Sequence, residues 1–162
     1  MLAPVLPYLG VRGIDAWGAG GFGAPRDGGK RPHLGTDFIT RQCPEKSLGI
    51  AVMDGVICHV GQVYGADENT VFQEETLGTI HIKSGDFYFK YYYAKALHEK
   101  GTKVYAGDTI GVAQTLIPLF REKDSSRDDI TDHIHFEVHV RGADGEYTRV
   151  DPMRYVAEVH SV

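Results

Sequence analysis

The chain has 162 residues, of which 42% are hydrophobic and 24% are charged, which is typical of a globular protein with one sizeable core. The formal net charge is −5 without any block of basic residues, which argues against nucleic acid or acidic lipid as the main partner. No apolar run approaches the roughly 20 residues of a membrane span, and the start, MLAPVLPYLGVRG, lacks the charged and apolar regions of a signal peptide.

The first part of the chain predicts little regular structure. Residues 10 to 31 are rich in glycine, which indicates an irregular segment packed across the fold. No repeat or linker interrupts the sequence, so we expect residues 1–162 to form a single domain. Cys43 and Cys58 are too few for a disulfide scaffold. They could pair, but two separate buried thiols are the expectation.

The middle of the chain predicts short strands joined by tight turns. GIAVMDGVICHVGQVYG has two apolar runs broken at Asp54-Gly55, a dipeptide that favours a hairpin. GTIHIKSGDFYFKYYYAKAL alternates aromatic and β-branched residues around a turn at Ser84-Gly85-Asp86, and KVYAGDTIGVAQ contains another Gly-Asp turn. Many short strands with short connections indicate an all-β, mostly antiparallel fold with at most a minor helix.

The stretch HIHFEVHV, residues 133 to 140, is the clearest strand. Successive side chains of a strand point to opposite faces, so one face is apolar and predicts core. The other face carries His133, His135, Glu137 and His139, a composition that folding does not require. After this strand, Asp151 and Pro152 match the cap and first position of a short helical turn.

Three residues in two separate motifs predict a metal site. KRPHLGTDFIT places His33 four positions before Asp37, with Gly35 between them to let the backbone bend. The H-x-H pair of His133 and His135 on the distant strand can supply a third ligand. Two imidazoles and one carboxylate are a common ligand set of catalytic zinc, which keeps its fourth position open.

These motifs resemble the M23 family of zinc peptidases, the lysostaphin/LytM type. The resemblance includes GGFGAPRDGGKRPHLGTDF with its H-x-x-x-D motif, AVMDGVICHVG, KVYAGDTIGVA, and HIHFEVHV followed by VDPMRY. The likeness covers about residues 20 to 156 in the same order. It implies an antiparallel β fold and cleavage of peptide bonds in bacterial cell-wall peptidoglycan.

Carried over to this sequence, the resemblance implies one Zn²⁺ per chain, held by His33, Asp37 and His135. It implies a catalytic role for His133, the first histidine of H-x-H. A neutral His133 could accept a proton from water and return it to the leaving amine. Glu137 lies two residues beyond His135 and could orient a histidine ring, or it could form a plain surface salt bridge. His139 is expected at the rim or in solvent.

The sequence departs from the family at its second catalytic histidine. Family members usually carry Y-x-H-L on a neighbouring strand, whereas Tyr93-Ala94-Lys95 occupies that register here. A protonated Lys95 could donate to a developing oxyanion, but it cannot act as a base unless its pKa falls far below about 10.4. A register shift could bring His98 in instead. Tyr93, which matches the motif tyrosine, is a candidate for substrate contact.

The segment before His133 is also unusual. The family often has a short Gly/Ser/Thr-rich link there, whereas residues 115 to 132, TLIPLFREKDSSRDDITD, are longer and charged. This segment could wall the substrate groove or form a solvated loop.

The sequence therefore predicts a zinc endopeptidase that acts on peptidoglycan stem peptides or cross-bridges at the bacterial cell wall. Without a clear signal peptide, delivery in a phage particle, by a lysis system or with a missing leader are all open. The alternative is a weakened or inactive relative that serves as a regulatory or wall-binding module. A third possibility, an unrelated sugar-binding β-sandwich, would make the ligand set a coincidence.

Overall fold

A computed structural model describes residues 3–5, 10–40, 48–63, 77–117 and 130–156. These residues form fourteen strands and two short 3₁₀ turns, at Asp27–Gly29 and Pro152–Arg154, and the predicted all-β class is confirmed. The strands are β1 (Ile14–Asp15), β2 (Gly18–Ala19), β3 (Pro25–Arg26), β4 (Arg31–Pro32), β5 (Thr36–Ile39), β6 (Leu48–Ile50), β7 (Gly55–Gln62), β8 (Gly78–Ser84), β9 (Phe87–Tyr92), β10 (Ala94–Ala96), β11 (Lys103–Val104), β12 (Thr109–Ala113), β13 (His133–Arg141) and β14 (Tyr147–Val150).

The largest sheet has seven antiparallel strands and is organised around β13. Its order is β11-β7-β8-β9-β13-β14, and β5 also pairs with β13. β9 runs along one edge of β13. On the other edge, β5 pairs with the first half of β13 and β14 with the second half. β13 is therefore hydrogen-bonded on both sides along most of its length.

A three-stranded sheet, β10-β12-β6, covers the apolar face of the large sheet. The two sheets approach closely where Gly111 of β12 faces Ile80 of β8, because a Cβ at position 111 would lie 2.6 Å from the Ile80 side chain. Phe136 lies at the centre of this core, fully buried, with its ring 6.1 Å from that of Phe89 and 4.8 Å from that of Tyr91. Among the described residues, no helix has the length and apolar character that a membrane crossing requires.

Several local predictions are confirmed. Gly85-Asp86 forms the two-residue loop of the β8–β9 hairpin, in which Ser84 pairs with Phe87. Gly107 adopts a φ of 98° in the turn before β12. Asp151 caps the final 3₁₀ turn, where its Oδ1 accepts a hydrogen bond from the backbone N–H of Met153 at 3.0 Å.

The predicted hairpin at Asp54-Gly55 is wrong. β6 pairs with β12 of the small sheet, whereas β7 pairs with β8 and β11 of the large sheet. The intervening residues carry the chain from one sheet to the other, and Asp54 Oδ1 accepts a hydrogen bond from the backbone N–H of Ala106 at 2.8 Å. The glycine-rich segment at residues 10 to 31 has more regular secondary structure than predicted, because it contains the ribbon β1–β2 and most of the ribbon β3–β4.

Of the two cysteines, Cys43 lies outside the described residues. Cys58 is half-buried on β7, and its Sγ lies 3.4 Å from the carbonyl oxygen of His81.

We expect Phe136→Ala to lower the free energy of unfolding by about 3–5 kcal/mol, because it removes an aromatic side chain from the fully packed core. Urea denaturation followed by circular dichroism measures the loss. Leu97→Ala is the matched control, since Leu97 is 54% exposed and its truncation should cost less than about 0.5 kcal/mol. Equal stability of the two variants would contradict the assigned core.

Candidate functional site

The polar face of β13 forms the floor of an open cleft with a volume of about 730 Å³. The β3–β4 ribbon and its turn border the cleft on one side, and Tyr92 and Tyr93, at the end of β9, border it on the other. His33, Asp37, His133, His135 and Glu137 all line it. The cleft thus gathers residues that lie about 100 positions apart in the sequence.

The register between β5 and β13 brings the predicted metal ligands together. Asp37 pairs directly with His135, and His33 precedes β5 by three residues. His135 Nδ1 lies 2.9 Å from Asp37 Oδ1 and 2.9 Å from His33 Nε2, while His33 Nε2 lies 3.2 Å from Asp37 Oδ1. One donor atom from each of three side chains therefore faces a common point.

This donor set fits a zinc ion. Zinc bonds of about 2.0–2.1 Å in a tetrahedron place neighbouring ligand atoms about 3.3 Å apart, close to the separations observed. His33 Nδ1 lies 2.9 Å from the carbonyl oxygen of Gly21, to which its N–H donates. His135 Nε2 lies 3.3 Å from Glu137 Oε1, to which its N–H donates. When both rings are neutral, two nitrogen lone pairs face each other, an arrangement that a cation between them stabilises.

Gly35 permits this convergence, but for a different reason from the one predicted. A Cβ at position 35 would lie 2.4 Å from the carbonyl oxygen of Phe136 and 2.8 Å from His135 Nε2. Glycine is therefore needed because the backbone before β5 presses against β13 and the His135 ring, rather than for a bend.

Glu137 is buried behind His135 rather than exposed on the surface. Its Oε2 accepts hydrogen bonds from His139 Nε2 at 2.7 Å and Arg149 Nε at 3.2 Å. Burial alone would raise the pKa of Glu137, but the hydrogen bonds from His135 and His139 hold it well below its usual range. The expectation that His139 lies at the rim or in solvent is wrong, since His139 is 7% exposed and bound to Glu137.

Arg12 holds the second oxygen of Asp37 and was not identified from the sequence. Its Nε and Nη2 donate to Asp37 Oδ2 at 3.2 and 2.8 Å, which leaves Oδ1 facing the two histidines. Burial alone would raise the pKa of Asp37, but the His135 and His33 rings, which donate to Asp37 when they are protonated, hold this pKa well below its usual range. Arg12 lies 25 residues from Asp37 in the sequence. The one local feature that could have indicated its role is the acidic Asp15 three positions later.

His133 lies beside the ligand cluster with a fixed ring. Its Nδ1–H donates to the carbonyl oxygen of Thr131 at 2.6 Å, and its Nε2 lies 3.5 Å from Asp37 Oδ1. Burial lowers the pKa of His133, although the charge of Asp37 acts in the opposite direction. His133 is therefore neutral at pH 7, with a free lone pair on Nε2. The Tyr93 ring packs edge-on against it, with centroids 5.4 Å apart.

The structure does not bring Lys95 into this cluster. Tyr93 adopts a φ of +69°, so the strand direction changes there and the alternation of β9 does not continue into β10. Lys95 pairs with Val112 of the small sheet and is exposed, and the alternative residue His98 is exposed with its Nε2 3.0 Å from the carbonyl oxygen of Thr109. The aromatic residue Tyr92, unlike Lys95, does contact the cluster, since its ring centroid lies 5.3 Å from that of His135.

The charged segment before His133 is only partly described, because residues 118–129 lie outside the described ranges. Ile130 lines the cleft, in agreement with a wall position for this end of the segment. Asp132 fixes the two ends of the segment to each other, since its Oδ1 accepts a hydrogen bond from the backbone N–H of Leu116 at 2.6 Å.

Comparison with known proteins identifies the fold. No family model and no curated protein matches the chain. Among solved structures, the catalytic domain of the prophage-encoded M23 protein EnpA from Enterococcus faecalis aligns over 95% of this chain and 97% of its own, with a TM-score of 0.55 and 21% identity. The catalytic domain of the antimicrobial peptidase lysostaphin from Staphylococcus simulans aligns over 83% and 87%, with a TM-score of 0.54 and 20% identity.

A third structure, Csd3 from Helicobacter pylori, aligns over 99% of this chain with a TM-score of 0.56 and 18% identity. The chain spans 34% of the length of Csd3. The protein therefore has the β-rich fold of lysostaphin and M23 peptidase domains.

We expect Gly35→Ala to weaken zinc binding by about tenfold or more, because the added methyl group must displace either β13 or the His135 ring. Competition with a chromophoric chelator measures the affinity. Gly13→Ala is the control, since a Cβ at position 13 meets nothing within 4 Å. Unchanged zinc affinity in a folded Gly35→Ala protein would show that this close approach is not needed for the site.

Proposed function

We propose that this protein is a zinc-dependent endopeptidase that hydrolyses peptide bonds in bacterial peptidoglycan and acts at the cell wall. The observation that carries the proposal is the convergence of His33, Asp37 and His135 beside a buried, neutral His133 in an open cleft. The fold shared with the peptidase lysostaphin and with an M23 protein supports the substrate class.

His33 Nε2, Asp37 Oδ1 and His135 Nδ1 would hold one zinc ion per chain. When bound, zinc supplies a Lewis acid that polarises a carbonyl group and can lower the pKa of water to about 7. Gly21 and Glu137 hold the outer nitrogens of the two ligand histidines, which fixes both rings. These contacts prevent the ligands from rotating away as substrate enters the cleft.

His133 would act as the general base and then as the general acid. Its Nδ1–H remains bound to the carbonyl oxygen of Thr131, so Nε2 is the atom that exchanges a proton with the reactants. Because the pKa of His133 is lowered, the ring is neutral before attack and releases its proton readily to the leaving amine. Tyr93 holds one face of this ring and would contact substrate at the cleft wall.

A regulatory or wall-binding module is the second candidate, and one observation favours it. Among the described residues that line the cleft, His133 is the one histidine outside the proposed ligand set. The two candidates for a second catalytic residue, Lys95 and His98, are exposed and do not line the cleft. A site with a single proton-transfer residue could bind muropeptides without cleaving them. Hydrolysis by the purified protein distinguishes the two candidates.

We expect His133→Ala to lower kcat for muropeptide hydrolysis by about 100-fold or more while one zinc per chain remains bound. Mass spectrometry of the products and atomic absorption of the dialysed protein measure the two quantities. His98→Ala is the control, since this exposed histidine lies outside the cleft and should retain wild-type kcat. Normal hydrolysis by His133→Ala would exclude the proposed base.

Lys95→Ala tests the role that the sequence predicted for this lysine. Because Lys95 is exposed and does not line the cleft, we expect kcat to change by less than about twofold. The same product assay measures it. A loss of about tenfold or more would instead place the Lys95 ammonium group at the oxyanion.

A further inference from the structure

Arg12 and Asp15 form a buried ion pair that connects the two sides of the site, the metal-binding side at Asp37 and the proton-transfer side at His133. Arg12 Nη1 lies 2.5 Å from Asp15 Oδ1 and donates to the carbonyl oxygen of Gly18 at 2.7 Å. The other two nitrogens of Arg12 donate to Asp37 Oδ2. All three guanidinium nitrogens therefore have partners, and Arg12 pairs with both carboxylates. Arg26 Nη2 lies farther from Asp37 Oδ2, at 3.5 Å.

Asp15 continues this chain of contacts toward His133. Its Oδ2 accepts a hydrogen bond from the backbone N–H of Thr131 at 3.2 Å, and its Oδ1 accepts one from the backbone N–H of Trp17 at 2.8 Å. The carbonyl oxygen of Thr131 then accepts the Nδ1–H of His133. The contacts therefore form a chain from Asp37 through Arg12, Asp15 and Thr131 to His133, whose Nε2 lies 3.5 Å from Asp37 Oδ1.

This chain of contacts is almost completely shielded from water. The side chains of Arg12 and Asp37 are each 3% exposed, that of Asp15 is 8% exposed and that of His133 is 7% exposed. Buried charges of this kind are stable only when each is paired, and removal of one partner leaves the others uncompensated. Replacement of Arg12 would therefore leave the carboxylates of Asp15 and Asp37 without their shared partner.

We propose that Arg12 and Asp15 are positioning residues that hold the metal-facing oxygen of Asp37 and the ring of His133 in one fixed arrangement. The proposal rests on the proposed peptidase function, because it assigns Asp37 and His133 their roles. Arg12 acts on the metal side by directing Asp37 Oδ1 toward the histidines. Asp15 acts on the proton-transfer side by fixing Thr131, which sets the orientation and tautomer of His133.

Arg12→Lys and Asp15→Asn separate these two sides. Lysine keeps the charge but has one nitrogen, so it cannot replace a fork that contacts Asp37, Asp15 and Gly18 together. Asparagine replaces one acceptor oxygen with a donor, so it loses either the Arg12 contact or the Thr131 contact. Arg141→Lys and Asp144→Asn are matched controls, because Arg141 binds the carbonyl oxygen of Gly145 and Asp144 accepts from the N–H two residues later, both on the exposed surface.

We expect Arg12→Lys to weaken zinc binding by about tenfold to 100-fold, as measured by chelator competition. Asp15→Asn should keep the zinc affinity of the wild type, since it does not touch Asp37. It should lower kcat for muropeptide hydrolysis by about tenfold or more without a change in KM, because the base is misplaced rather than removed. Long-range ¹H–¹⁵N spectra of Asp15→Asn should show His133 protonated at a mixture of Nδ1 and Nε2, whereas the wild type carries the proton on Nδ1.

The readouts keep this proposal separate from the peptidase function. If the wild type cleaves no muropeptide, the peptidase function fails, and the zinc affinity of Arg12→Lys and the His133 tautomer of Asp15→Asn still decide the positioning roles. If Arg12→Lys does not fold, Asp15→Asn decides alone. Folded variants with the zinc affinity, kcat and His133 tautomer of their controls would overturn the proposal and leave Arg12 and Asp15 as a structural tie.

Discussion

The site depends on the register of β13 against β5 and β9. Ile134, Phe136 and Val138 pack into the core from one face, so His133, His135 and Glu137 must point into the cleft from the other. A slip of one residue would exchange the two faces, burying imidazoles in the core and exposing the Phe136 ring and its aliphatic neighbours. The core thus excludes such a slip, and the observed register places His135 directly opposite Asp37. Packing of the apolar face is therefore what assembles the proposed metal ligands.

Each histidine of the proposed site is held by a second polar group on the side that faces away from the cluster. Gly21 holds His33, Glu137 holds His135, and Thr131 holds His133. Buried polar networks stabilise a single arrangement when every member is satisfied, and they are costly when one member is lost. Such a site needs little reorganisation when a cation or substrate binds, which is favourable for catalysis. The same contacts explain why His139 and Arg149 are drawn beneath the site through Glu137.

Sequence patterns predicted the parts of this structure that depend on local periodicity and motif spacing. Alternation in HIHFEVHV predicted both faces of β13, and the pairing of H-x-x-x-D with H-x-H predicted the cluster. Arg12 and Asp15 could not be predicted, because their role comes from contacts with Asp37 and Thr131 that lie 25 and 116 residues away. The placement of Lys95 depended on the positive φ of Tyr93, which a β-compatible sequence does not reveal. The prediction of a hairpin at Asp54-Gly55 was wrong because a turn dipeptide does not specify which sheet the next strand joins.

The most direct test of the central claim is mass spectrometry of defined muropeptides incubated with metal-free protein, before and after addition of one equivalent of zinc. The account predicts no cleavage before addition, and afterwards products with a new amino group and a new carboxyl group at one peptide bond. Intact muropeptides in the presence of zinc-loaded, folded protein would contradict it, and binding of those muropeptides without cleavage would favour the wall-binding module.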